Sequence, residues 1–204
     1  WDIMAQGSWN NNGHTPAYPN PYVRAYDFGW TDPITLQADG TYSFDTSGEK
    51  RIYRIDTPDA GDYFLLDFHR PGTVSRWEPG AGLLIFHISP AIDHYSQSNR
   101  INATFPQHCY PVCASSDYAY PRKLAETFGN INSGGCPFPG SSNNREFTPA
   151  TVPAAVTFDK NDAGFSVTDI TEYDNGSIAF RFTGSGNQPG NLDSSVLLHE
   201  SFER

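Results

Sequence analysis

The sequence predicts a mainly β, two-sheet, sandwich-like domain preceded by a loop-rich segment. Three observations lead there. Charged residues make up only 18% of the chain while aromatic residues reach 14%, and 18 glycines and 16 prolines supply turn formers throughout. That mixture suits strands and tight turns better than long helices. Several short segments also alternate apolar with polar residues and are bounded by Asp, Gly or Pro, the period of a half-buried strand. At 204 residues the chain is long enough to bury a substantial core as one large or two small domains.

Taken in order, residues 1–33 are rich in Asn, Gly, Pro and Tyr and carry little regular periodicity. They read as an ordered loop that wraps a neighbour, with one short helix near Tyr22 to Phe28. From residue 34 the segments ITLQA (34–38), GTYSF (40–44), KRIYRID (50–56), DYFLLDFH (62–69) and GLLIFHI (82–88) each predict a strand. GLLIFHI is apolar nearly throughout and is expected at the centre of its sheet, with DYFLLDF beside it through the loop 70–81. Residues 89–142 lack regular signals, which in a compact domain calls for a function or a tie. Beyond Phe147, strands are expected at AAVTF (154–158), FSVTDITEY (165–173) and SIAFRFTG (177–184), and Asp174-Asn175-Gly176 predicts the hairpin between the last two. GSGNQPGN (184–191) has the composition of a flexible linker, and residues 192–204 begin a new module. The β-rich domain is therefore expected to span residues 34–183.

The formal charge of −10 opposes binding to nucleic acid, whose phosphates it would repel, and no Lys/Arg cluster offsets it. No apolar run is long enough to span a membrane. The three cysteines, Cys109, Cys113 and Cys136, are one short of a tetrahedral zinc site unless His108 or His94 joins them. The other reading is a disulfide with one spare thiol, and the pairing expected is Cys113 with Cys136. Closing that loop of about two dozen residues would contribute roughly 3 kcal/mol.

The opening run Trp1-Asp2-Ile3-Met4-Ala5-Gln6-Gly7-Ser8-Trp9 resembles the methionine turn of secreted zinc metallopeptidases of the immune inhibitor A (M6) family. The similarity continues through Gly7-Ser8-Trp9-Asn10, Pro16 and Phe28-Gly29-Trp30. It extends to Asp62-Tyr63-Phe64-Leu65-Leu66-Asp67 and to Pro79-Gly80-Ala81-Gly82-Leu83-Leu84-Ile85-Phe86-His87-Ile88. Later blocks at 99–102, 110–115 and 135–140 are similar to family members that also carry the cysteine pair. Ser89 departs from the acid often found after this strand, and the terminal LLHESFER resembles the first strand of a cleaved-adhesin or MAM-like module.

The resemblance implies a secreted or cell-surface zinc metalloendopeptidase as parent, acting on protein or peptide substrates. In that family Met4 would lie beneath the zinc as a hydrophobic floor without ligating it, as a polarisable thioether packs well against imidazole edges. Gly7, Ser8 and Trp9 are the expected substrate-binding wall. Some metallopeptidases carry a tyrosine two residues after the methionine; here that position is Gln6, a poor proton donor.

The zinc helix itself needs two histidines one helical turn apart with a glutamate beside the first. None of the six histidines has another four residues on, and the nearest miss, His199-Glu200-Ser201-Phe202-Glu203, has glutamate in that place. No catalytic residue and no zinc ligand is therefore expected in this chain. The catalytic N-terminal segment would be its partner, and the chain alone would be inactive.

Other residues read more plainly. His87, inside the most apolar strand, is expected to be a hydrogen-bonded core histidine. Asp67 and His69 should share one strand face. Asp159 to Gly164 faintly resembles a calcium loop, but Ala163 and Ile170 stand where ligands are required, so a hairpin turn is the better reading. Asp93, Asn99, Asn102 and Asp117 are candidate oxygen ligands for a calcium ion in the long loop. The alternative to a peptidase part is a non-catalytic carbohydrate- or protein-binding, adhesin-like module using tyrosines between Ala17 and Tyr26 and between Tyr110 and Tyr120.

Overall fold

A computed structural model describes residues 1–46, 51–70, 72, 75–96, 100–105, 107–121 and 129–184. The linker and adhesin-like module expected at 184–191 and 192–204 lie outside the described residues, Gly184 apart. Two sheets make the domain. The larger runs β1 (Ile34–Thr35), β3 (Tyr53–Asp56), β4 (Tyr63–His69), β5 (Gly82–Ile88), β6 (Cys109–Val112), and the smaller runs β2 (Gly40–Phe44), β8 (Ile178–Thr183), β7 (Ser166–Glu172). All neighbours pair antiparallel except the short β1 and β3, so the mainly β, two-sheet class holds.

Each expected strand up to residue 88 forms. The middle position of the larger sheet belongs to β4, however, and β5 lies between it and the edge. Both are buried along their whole length, which explains why both read as apolar runs. The edge strand β6 was not legible because Pro111 sits inside it. An edge tolerates a residue without an N–H, and Pro111 pairs there with Phe86. Residues 154–158 form no strand. Ala154 and Ala155 donate instead to Ala119 and Thr148 carbonyls at 2.8 and 2.9 Å, and Val156 makes only an isolated bridge to Asp162. That bridge closes the turn expected at 159–164.

The β7–β8 hairpin forms as expected, with a difference at its turn. Within the turn only Gly176 has positive φ (80°), and Gly176 N–H donates to Tyr173 O at 2.8 Å while Tyr173 N–H donates to Ser177 O at 2.9 Å. The loop is thus one residue longer than a tight two-residue turn, and glycine alone supplies the left-handed residue.

Strand alternation divides the core in two. Phe64, Leu66 and Phe68 of β4 and Leu83 and Ile85 of β5 face the smaller sheet, meeting Phe44, Phe180, Phe182 and Val167. Tyr63 and Leu65, with Leu84, Phe86 and Ile88, face the other way, where Trp1, Tyr22, Val23 and Ala25 cover them. The helical turn expected near Tyr22 to Phe28 is present as a π-helical turn, Val23–Asp27. The segment 1–33 therefore packs its inner side on this chain's own sheet and shares a core with the strands that follow it.

Charge crosses that second core. Arg24 pairs with Asp67, Asp67 Oδ2 meets His69 Nε2 at 2.9 Å, and His69 Nδ1 meets Glu78 at 2.7 Å, all four side chains being almost wholly buried. The Trp1 ring stands edge-on to His69 at 5.7 Å. Asp67 and His69 share a face, as the two-residue spacing required.

Removing one partner of a buried pair strands the other charge. Arg24→Met is expected to destabilise the domain by about 3–5 kcal/mol, read as a lower urea midpoint. An unchanged midpoint would mean that the N-terminal segment is held by its apolar contacts alone.

Candidate functional site

The turn that carries Met4 is built around Asp2. Its carboxylate accepts Met4 N–H at 3.1 Å, Asn20 N–H at 3.1 Å and the Asn20 side-chain amide at 2.8 Å, while its carbonyl accepts Ala5 N–H at 3.0 Å. Asn20 Oδ1 in turn accepts Val23 N–H at 3.0 Å, which ties the turn to the start of the helical turn carrying Arg24. Neither Asp2 nor Asn20 was singled out from sequence, because short-range acceptor geometry of this kind emerges only when residues 18 apart in the chain meet. Met4 stands at the apex and is 70% exposed.

Gly7 is buried beneath the turn. A Cβ there would lie 2.6 Å from Asp2 O and 2.9 Å from Ala17 Cβ, so only glycine fits. Its carbonyl accepts Ala17 N–H at 2.9 Å. Ser8 Oγ donates back to Ala5 O at 2.9 Å. Trp9 is 76% exposed. A cavity of about 700 Å³ opens beside the turn, with Met4, Gln6, Gly7, Tyr22, Asp27 and Phe86 among its walls. Of the expected substrate-binding residues Gly7 reaches that cavity, while Ser8 and Trp9 are not among the residues lining it.

Three groups that line the cavity, Tyr22, Asp27 and Cys109, are biased toward the neutral form. Burial first, then the bond and charge of Asp93, pushes the Tyr22 phenol up; its hydroxyl donates to Asp93 at 3.0 Å. Burial and then Asp93 raise Asp27. Burial raises the Cys109 thiol as well, reinforced by Asp2 and Asp27. A thiol in that state is a poor nucleophile.

All three cysteines are buried thiols, so the expected Cys113–Cys136 disulfide is not present as a bond. These two side chains nevertheless are the ones that meet. The Cys136 thiol donates toward Cys113, which, with help from Ser115 and against burial, brings Cys113 down to about 6 and sends Cys136 up. Backbone bonds hold the segments together, Ala114 N–H to Cys136 O and Ser115 N–H to Gly135 O, both 2.9 Å.

The zinc alternative for the cysteines is not built. Among the described residues no group of three or more His, Cys, Asp or Glu side chains is placed to hold a metal ion. His108 is engaged with Ser89 at 2.9 Å and Thr104 at 3.2 Å, and His94 is exposed on the single helical turn α1 (Ile92–Ser96). Three of the calcium candidates lie among the described residues. Asp93 takes the Tyr22 hydroxyl, Asn102 brackets Cys109 through its N–H and carbonyl, Asp117 is exposed, and Asn99 is outside the described residues.

His87 occupies the opposite face of β5. Asp62 lies 2.8 Å from Nε2 and the Tyr110 hydroxyl 2.9 Å from Nδ1, and Phe64 stacks on the ring at 4.1 Å. Burial lowers its pKa against the pull of Asp62, so the imidazole is neutral at pH 7. The expected core histidine is what the fold contains.

Comparison of the chain with protein-family models, curated proteins and solved structures returns no match. Among the described residues no helix is long and apolar enough to cross a membrane.

Two outcomes test this geometry. Gly7→Ala is expected to destabilise by about 1–3 kcal/mol, because the obstacle is backbone and cannot swing away; equal thermal midpoints for the variant and the parent chain would contradict the packing. The second concerns pH. Burial opposes charge on His69, but Asp67 and Glu78 outweigh it and push its pKa up to about 9. A raised pKa contributes stability in full below about 6.5 and loses it as pH climbs through about 9. Asp67 is depressed, burial being outweighed by Arg24 and His69, and its contribution is lost instead on acidification. Urea midpoints should therefore decline between about pH 6.5 and 9, and His69→Gln should flatten that decline.

Proposed function

We propose that this chain is the methionine-turn part and β-rich buttress of a secreted M6-like zinc metalloendopeptidase whose metal ligands lie on a segment upstream of this one. The observation that carries the reading is Met4. It is the chain's only methionine and stands exposed at the apex of a turn fixed by four hydrogen bonds to Asp2, beside a large cavity. A rigid turn that spends its order on presenting a thioether outward fits a floor for something placed above it. Among the described residues no group of side chains forms a zinc site, and no chemical step is assigned to them. Zinc in the parent would supply Lewis-acid polarisation of the peptide carbonyl and a water of lowered pKa.

A second observation supports the same reading. Ile3, Met4, Trp9, Tyr18, Tyr26, Phe28, Trp30 and Ile34 are all large apolar or aromatic residues exposed within the first 34 positions. The inner side of that segment is bonded to the sheet, so its outer side is the natural seat for the upstream catalytic segment. The competing reading, a carbohydrate- or protein-binding module, draws on the exposed tyrosines Tyr18, Tyr26, Tyr118 and Tyr120. A glycan array giving specific binding that vanishes on their substitution would favour it.

The direct experiment compares this chain with a longer polypeptide that includes the sequence encoded upstream. The longer protein is expected to bind one zinc and to cleave casein in a chelator-sensitive way; this chain is expected to do neither. Dilute peroxide should oxidise Met4 readily in this chain and slowly in the longer protein, by mass spectrometry. Chelator-sensitive proteolysis by this chain alone would overturn the assignment, as would equal oxidation rates.

A further inference from the structure

A second cavity, of about 390 Å³, lies on the inter-sheet side of β5, walled by Phe64, Phe105, Tyr110, Tyr120 and Phe158 with His87 at its base. Its volume is at the small end for ligand sites, the size of one ring with a short side chain. The base is unusually well fixed. The His87 ring is held at both nitrogens and packed between Phe64 at 4.1 Å and Phe158 at 4.2 Å. Asp62 uses its other oxygen to accept Phe158 N–H at 2.7 Å, so the loop forming the far wall is anchored to the same carboxylate that orients the imidazole. A site whose walls are locked in this way requires little reordering to receive a ring.

One charge stands at the edge of this aromatic enclosure. Lys160 lines the cavity, and its ammonium lies 4.6 Å above the Tyr120 ring. Among the described residues it forms no ion pair, even though Asp159 and Asp162 are in the same turn; Asp162 instead accepts Gly164 N–H at 2.7 Å. The backbone at Lys160 is left-handed (φ 67°), an uncommon conformation for a residue with a long side chain. Its N–H donates to Thr157 O at 2.8 Å and Thr157 N–H to Asn161 O at 2.9 Å, which closes the turn and directs the lysine. In a chain of net charge −10, a cation at the rim of an aromatic pocket with no carboxylate partner among the described residues is a specific arrangement.

We propose that this cavity binds a small aromatic carboxylate, with its ring among Phe64, Tyr120 and Phe158 and its carboxylate on the Lys160 ammonium. Aromatic walls provide apolar and edge-to-face contact, and a charge-assisted bond at the rim sets the orientation. Two sources share this chemistry, a free arylalkanoic acid and the C-terminal aromatic residue of a peptide. The proposal does not depend on the peptidase reading, since it uses neither Met4 nor the cavity beside it.

Isothermal titration of the full chain with four probes tests it: 3-phenylpropionate, N-acetylphenylalanine, N-acetylphenylalanine amide and phenethylamine. Both acids are expected to bind about tenfold or more tightly than the amide, the amine least. Lys160→Met should bring the acids to the amide's affinity and leave the amide unchanged. Val156→Trp, which fills the cavity, should abolish binding of all four, with circular dichroism verifying that each variant is folded. A tighter N-acetylphenylalanine than 3-phenylpropionate identifies the peptide terminus as the better ligand, and the reverse identifies the free acid. Equal binding of acid and amide, acid binding unaffected by Lys160→Met, or no heat from any probe would overturn the proposal.

Discussion

The buried chain Arg24, Asp67, His69, Glu78 sets how the two halves of this domain meet. Asp67 and His69 are placed on the outer face of β4 by strand alternation, in the middle of a sheet whose neighbours on that face are Tyr63 and Leu65. An unpartnered charge there would carry a large desolvation penalty. Arg24 arrives from the N-terminal segment and Glu78 from the β4–β5 loop, so four charges of alternating sign neutralise one another in the dry interior. The arrangement specifies register as well as cohesion. A one-residue slip of β4 would turn Asp67 and His69 into the apolar layer between the sheets.

From that fixed point the N-terminal segment is laid down in order. Arg24 belongs to the helical turn whose first N–H is taken by Asn20, and Asn20 is held by Asp2, so the turn that carries Met4 is linked to the ion chain by successive short contacts. Trp1 closes the path by resting on His69 and donating its indole N–H to Ile131 O. Met4 is thus exposed on a support that cannot easily move.

The larger sheet serves two different surfaces because alternate residues of β4 and β5 face opposite ways. Leu84, Phe86 and Ile88 back the N-terminal segment at Trp1, Tyr22, Val23 and Ala25, while Leu83, Ile85 and His87 face the smaller sheet. His69 and His87 illustrate how the surroundings decide chemistry. The first lies between two carboxylates and is held charged; the second lies between two aromatic rings with one carboxylate and is held neutral. The same side chain is a cationic link in one core and a ring-stacked base to a cavity in the other.

The strands β1 to β5, β7 and β8, the hairpin at Asn175-Gly176, the shared face of Asp67 and His69 and the core role of His87 were readable in the sequence, because each follows from period-two alternation or turn chemistry within a few residues. So was the two-sheet class. Pro111 hid β6, since a proline argues against a strand unless an edge position is known, and Ala154 to Phe158 imitated a strand until longer-range backbone partners claimed it. The meeting of Arg24 with Asp67, of Asp2 with Asn20, and of Lys160 with Tyr120 was decided only in three dimensions. Local sequence sets which way a side chain faces; which distant group waits there depends on how the sheets and loops close over one another.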